Sequence, residues 1–227
     1  ELEQQFDELL KAEEYGKAEE MLRQMLEEVP EDERRDAFTA PARIRPDAIE
    51  EPEAESLLLE AANALSRRLR NAKYRTRIAN GYRGLKIVEI GDSWHQYPIR
   101  LDDIIDNVSE DYAVYSLSAA GATLDEMAAL SEYREAIRSE DPDIFMISAG
   151  GNDVLGEGAF INLIHDYRDG ATALDLLDRD RLSRTLSQIT ATLDEVFRSA
   201  LAVKPSLRIF THGYDYVHPR EDGKWVG

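Results

Sequence analysis

Three short segments carry the side chains whose types and spacing permit chemistry. Gly91-Asp92-Ser93 closes the apolar run Leu85-Lys86-Ile87-Val88-Glu89-Ile90. Ser118-Ala119-Ala120-Gly121-Ala122-Thr123 follows Tyr112 to Leu117, and Ala149-Gly150-Gly151-Asn152-Asp153 follows Ile144 to Ser148. Each is a polar, glycine-bearing loop behind a short run rich in β-branched and aromatic residues, the pattern of a strand. If the three strands are parallel neighbours, the loops meet on one sheet edge, where open α/β sheets bind ligands. A serine hydroxyl, a glycine backbone N–H and an asparagine amide would then converge. Attack on an ester carbonyl needs that set: a nucleophile, and fixed donors for the oxyanion that forms. Glycine at 121 lets the backbone approach closely, and the Asn152 side chain offers two N–H groups. Alone, Gly91-Asp92-Ser93 is also the signature of a helix cap; it is the three loops together that mark Ser93 as a nucleophile.

The elements that must position these loops follow from periodicity. Strands are expected over 85–90, 112–117, 144–148 and 207–211. Helical patterns lie near 100–107, over 124–138, near 158–167 and over 179–202, with Leu182, Leu186, Ile189, Leu193, Val196 and Phe197 on the inner face of the last. Strands separated by helical crossovers give an α/β fold with a central parallel sheet and helices on both faces. Residues 1–80 read differently. A helical hairpin is expected over 1–29, stopped by Pro30. A linker over 30–53 carries Pro30, Pro41, Pro46 and Pro52, and a helix runs from Glu53 to about Asn71. The basic cluster Arg67, Arg68, Arg70, Lys73, Arg75 and Arg77 at its end suits a helix C-terminus and pairing with an acidic body. Two units result: a helical N-terminal region, 1–80, and an α/β domain, 81–227.

Composition narrows the classes of partner. Among 227 residues the formal net charge is −19, which opposes sequence-independent nucleic-acid binding. No apolar run is long enough to span a bilayer. There is no cysteine, hence no disulfide, thiolate metal site or cysteine nucleophile. That composition is compatible with the cytosol and does not fix the compartment. The carboxylates lack metal-ligand spacing and no phosphate-binding glycine loop is present, so no cofactor and no metal are expected.

In order and spacing the three loops resemble blocks I, II and III of the SGNH hydrolases, the GDSL-like lipases and esterases. Gly91-Asp92-Ser93 matches block I, Gly121 matches the block II glycine, and Gly150-Gly151-Asn152-Asp153 matches block III. The resemblance covers roughly residues 83–216 and implies a flavodoxin-like three-layer sandwich. It implies Ser93 as nucleophile, with the N–H groups of Ser93 and Gly121 and the side chain of Asn152 as oxyanion donors. Asp153 is implied to hold its own loop. The expected activity is hydrolysis of a small-molecule carboxylic ester or thioester through an acyl-Ser93 intermediate.

The general base is less plain. In this family it belongs to an Asp-x-x-His element late in the chain, after a fifth strand. Asp215-Tyr216-Val217-His218 is a literal match but follows directly on the fourth strand. The topology therefore places the pair, and the remaining helix and strand, beyond Gly227. His95 is expected on the turn after Ser93, pointing away. His165 is expected in a helical stripe with Phe160, Ile161 and Ile164, and His212 at the active edge. The alternative reading is a binding or scaffold module that keeps the fold without a working base, with residues 1–80 docking a protein partner.

Overall fold

A computed structural model of the chain describes residues 8–9, 12, 16–17, 20–21, 26–28, 42–44, 52–97 and 103–214. Two short strands, β1 (Leu26–Glu28) and β2 (Ala42–Ile44), pair antiparallel, with Leu26 opposite Ile44. This corrects the expected helix at 26–28 and gives order to part of the expected linker. The physical reason is the partner: residues 42–44 offer 26–28 an antiparallel backbone ladder, an interaction between separate segments that helical periodicity does not register.

The body is a four-stranded parallel sheet of β3 (Lys86–Gly91), β4 (Ala113–Ser116), β5 (Ile144–Ser148) and β6 (Arg208–Thr211), in the order β4-β3-β5-β6. The chain winds outward from β3 to β4, then crosses back to β5 on the other side. This is the flavodoxin-like order, and its topological switch point lies between β3 and β5. The fold is thus the α/β sandwich expected from the sequence. Alternate residues enter opposite layers. Val88, Ile90, Phe145 and Ile147 pack with Leu124, Met127, Tyr133, Ile137, Val196 and Ala200. Ile87, Val114 and Ile144 pack with Ile105 on the other face.

Around the sheet run α1 (Pro52–Ala79), α2 (Ile104–Asp111), α3 (Leu124–Leu130), α4 (Glu132–Glu140), α5 (Gly151–Leu155), a 3₁₀ helix (Gly156–Leu163), α6 (Ala173–Leu176) and α7 (Arg179–Val203). Helix α1 continues two turns past Asn71. The helix expected over 124–138 is broken at Ser131, whose φ of 55° is left-handed and whose hydroxyl donates to Ala128 O at 2.7 Å. The helix expected near 158–167 is the 3₁₀ segment. His165 lies beyond it, exposed, its N–H donating to Leu176 O at 2.7 Å, rather than in a helical stripe.

Helix α1 belongs to the packing of the α/β body. Tyr74 meets the Tyr115 ring edge-on at 5.5 Å. Arg75 donates to both carboxylate oxygens of Glu140, at 2.7 and 2.6 Å from its nearest atoms. Arg77 donates to Ser109 O and Glu110 O at 2.9 and 2.8 Å. Arg75 thus meets an acidic group, as the charge balance anticipated, while Arg77 meets the carbonyls at the end of α2; because α1 runs to Ala79, only Arg77 of the basic cluster stands in its last turn. No helix among the described residues is long and apolar enough to cross a membrane.

Candidate active site

Ser93 and Gly121 sit in the loops that leave the C-terminal ends of β3 and β4, and Asn152 in the first turn of α5 just beyond the end of the adjacent strand β5. Register aligns those ends: Glu89 faces Ser116, and Gly91 faces Ser148. Backbone bonds carry the alignment into the loops. Ala119 N donates to Gly91 O at 2.9 Å, and Asp92 N to Ser148 O at 3.2 Å. The second and third loops are tied by Asn152 Nδ2, which donates to Ala122 O at 2.9 Å. Asp153 accepts from Leu124 N at 2.9 Å at the start of α3, so it holds the neighbouring loop rather than its own.

The turn that bears Ser93 is pinned residue by residue. His95 N and Gln96 N both donate to Asp92 O, at 3.0 and 2.9 Å. Asp92 is buried, and its Oδ1 accepts from Trp94 N at 3.1 Å and from the Ser148 hydroxyl at 2.9 Å. Its Oδ2 accepts from the Tyr214 hydroxyl. Tyr97 N donates to Asp103 Oδ2 at 2.8 Å. From Asp92 to Tyr97, the Ser93 N–H alone has no acceptor among the described residues. The Ser93 side chain is half-buried, and no hydrogen bond engages its hydroxyl among those residues. In the second loop, from Ala119 to Leu124, the Gly121 N–H alone is likewise without an acceptor. Gly121 has a φ of 87°, a conformation that glycine adopts without strain. Asn152 spends one amide N–H on Ala122 O and keeps a second.

Beneath this turn lies a buried polar cluster that motif reading passes over. Glu89 and His95 are both fully buried, and His95 Nδ1 donates to Glu89 Oε2 at 2.9 Å. The Ser116 and Ser118 hydroxyls also donate to Glu89. Burial pushes the Glu89 carboxyl up, but the hydrogen bonds from His95, Ser116 and Ser118 and the His95 charge outweigh it and hold the group below the usual carboxylate range. His95 thus sits on the turn after Ser93 and directs its ring inward to Glu89, without a hydrogen bond to the Ser93 hydroxyl. Gly91 makes room for it: a Cβ at 91 would lie 2.7 Å from the His95 ring. The readable signal was the lone carboxylate in the apolar strand β3, which must find donors when buried.

On the β6 side, Trp94, His212 and Tyr214 form an aromatic group. Trp94 stands edge-on to Tyr214 at 5.7 Å, and His212 lies 6.0 Å from Trp94 and 5.5 Å from His95. Burial, then the hydrogen bond to Asp92, pushes the Tyr214 phenol up, so it stays a donor at neutral pH. None of His95, His165 and His212 hydrogen-bonds the Ser93 hydroxyl, and Asp215 and His218 lie outside the described residues. No cluster of metal-ligating side chains occurs among the described residues.

No protein-family model and no curated protein matches the chain. Among solved structures it is similar to a family 3 carbohydrate esterase of Clostridium thermocellum, with 15% identity and a TM-score of 0.33 over 56% of this chain and 60% of that one. It is also similar to an acetyl xylan esterase, AlAXEase, with 16% identity and a TM-score of 0.29 over 56% of this chain and 57% of the other. The chain thus spans less than two thirds of either structure.

Proposed function

We propose that this protein is a serine hydrolase that cleaves carboxylic esters or thioesters through an acyl-Ser93 intermediate. One observation carries the reading: in two loops at one sheet edge, the backbone N–H groups without an acceptor among the described residues are those of Ser93 and Gly121, and the Ser93 hydroxyl beside them is also unengaged. Unused donors in a tightly bonded loop suit a charge that appears only during reaction. The resemblance of residues 91–93, 121 and 150–153 to the SGNH blocks supports the same assignment.

In this mechanism Ser93 Oγ attacks the acyl carbon as its proton passes to a histidine base. The carbonyl π electrons move to oxygen, and the oxyanion is met by the two backbone N–H groups and the second N–H of Asn152. Collapse expels the alcohol or thiol, which takes the proton from the base. Water, deprotonated by the same base, then attacks acyl-Ser93; the acyl–Oγ bond breaks, Ser93 Oγ takes the proton back from the base, and the acid leaves. The resemblance puts that base in an Asp-x-x-His element after a further strand C-terminal to β6, beyond Gly227; Asp215 and His218 match the spacing but follow directly on β6. No cofactor enters any step.

The test is steady-state hydrolysis of p-nitrophenyl acetate by the full-length protein. Ser93→Ala should lower kcat by at least about 10⁴-fold with the unfolding midpoint preserved. A folded wild-type protein that does not exceed Ser93→Ala in turnover would remove the hydrolase assignment and leave a binding module.

A further inference from the structure

We infer that Asn63 of α1 is a positioning residue for the oxyanion donor at Gly121, so that the long N-terminal helix is part of the catalytic frame; this rests on the acyl-transfer reading above. The outer edge of β4 and the loop beyond it meet a stripe of polar side chains on α1 at four-residue spacing: Asn63, Arg67 and Asn71. Asn71 brackets Ser116, accepting from its N–H at 2.8 Å and donating to its C=O at 2.9 Å. Arg67 donates to Leu117 O and, at 3.0 Å, to Ser118 O. Asn63 brackets Ala120 as Asn71 brackets Ser116, accepting from its N–H at 2.9 Å and donating to its C=O at 3.0 Å. The spacing works because four helical residues rise about 6 Å, while two extended residues advance about 6.6 Å. The side chains of α1 thus stand where a neighbouring strand would.

The two asparagines make the same bonds with different consequences. The Ser116 groups lie within a strand. The Ala120 carbonyl belongs to the same peptide unit as the Gly121 N–H. That unit is planar and trans, so a carbonyl aimed at α1 aims the Gly121 N–H the opposite way. A donor on the carbonyl also polarises the N–H at the other end of the unit. Asn63 is buried, and its Oδ1 further accepts from Gln96 Nε2 at 2.9 Å, three residues beyond Ser93. One side chain therefore fixes both the Gly121 peptide and the turn that carries the Ser93 N–H.

The experiment uses the full-length protein and its Asn63→Ala, Asn63→Asp and Asn71→Ala variants. It measures the second-order rate of Ser93 labelling by a fluorophosphonate, kcat and KM for p-nitrophenyl acetate, and the urea unfolding midpoint. Asn63→Ala should lower the labelling rate and kcat together by about 10- to 100-fold, with KM little changed. Asn71→Ala should lower the unfolding midpoint comparably while labelling at the wild-type rate. Asn63→Asp keeps the acceptor for Ala120 N–H and Gln96 but sets a carboxylate oxygen against Ala120 O. It should show the same rate loss, and it serves if the alanine variant does not fold. Folded Asn63 variants that label like wild type would overturn the inference, as would an equal rate loss in Asn71→Ala. If the wild type itself is not labelled at Ser93, the acyl-transfer reading fails first, which separates the two failures.

Discussion

The turn that carries Ser93 is held differently on its two sides. Toward α1 the contacts are polar and buried. Arg70 donates to His95 O at 2.7 Å and to Asp103 at 2.5 Å, Gln96 reaches Asn63, and Glu89 receives His95. Toward β6 the contacts are aromatic rings and a single phenol–carboxylate bond, Tyr214 to Asp92. Directional bonds fix where a backbone N–H points, whereas ring packing is tolerant of small shifts. The α1 side is therefore built for position, and the β6 side for a wall beside the exposed Trp94.

Breaking the two sides should give unequal results. The largest loss is expected for Arg70→Ala. Arg70 is 8% exposed and bonds the buried Asp103 as well as Asp106, so its removal leaves a buried carboxylate, still held by backbone N–H groups, without its counter-charge. Urea unfolding should show a loss of about 3–5 kcal/mol; a loss under about 1 kcal/mol would mean that the α1 side does not anchor the turn. Tyr214→Phe keeps the ring and deletes the bond to Asp92. It should cost about 1–3 kcal/mol in the same measurement, toward the lower end because Tyr214 is only partly buried. A larger loss than Arg70→Ala would reverse the comparison. The smallest effect is expected from acid. The Glu89 carboxyl is held below its ordinary range, so its contribution is present above the unfolded carboxylate pKa of about 4.3 and is lost as pH falls below that value. The unfolding midpoint should decline more shallowly over that acid range in Glu89→Gln than in wild type; parallel curves would show that folding does not shift the Glu89 pKa, and a steeper decline in Glu89→Gln would show that the native carboxyl is held protonated.

The same contrast explains how much was legible in the sequence. The strands β3 to β6 could be read because each is a short apolar run bounded by turn residues, and their crossovers required a parallel sheet. The three loops could be read because glycines and polar side chains recur at each strand end. The role of α1 could not. Asn63, Arg67 and Asn71 have the spacing of an ordinary solvent-facing stripe, and only the position of β4 reveals that they face an open sheet edge. The break at Ser131 was hidden for a related reason, since no glycine or proline marks it. Glu89 was half visible: a carboxylate in an apolar strand demands partners, but Ser116, Ser118 and His95 are identified by the register of β3 on β4 and by the inward turn at Gly91.

The central claim is that Ser93 accepts an acyl group. The most direct measurement treats the full-length protein with a fluorophosphonate and maps the adduct by peptide mass spectrometry. The account predicts one phosphonylated peptide, modified at Ser93, and no adduct in a folded Ser93→Ala protein. A folded wild-type protein that leaves Ser93 unmodified, or carries the adduct on another residue, would contradict it.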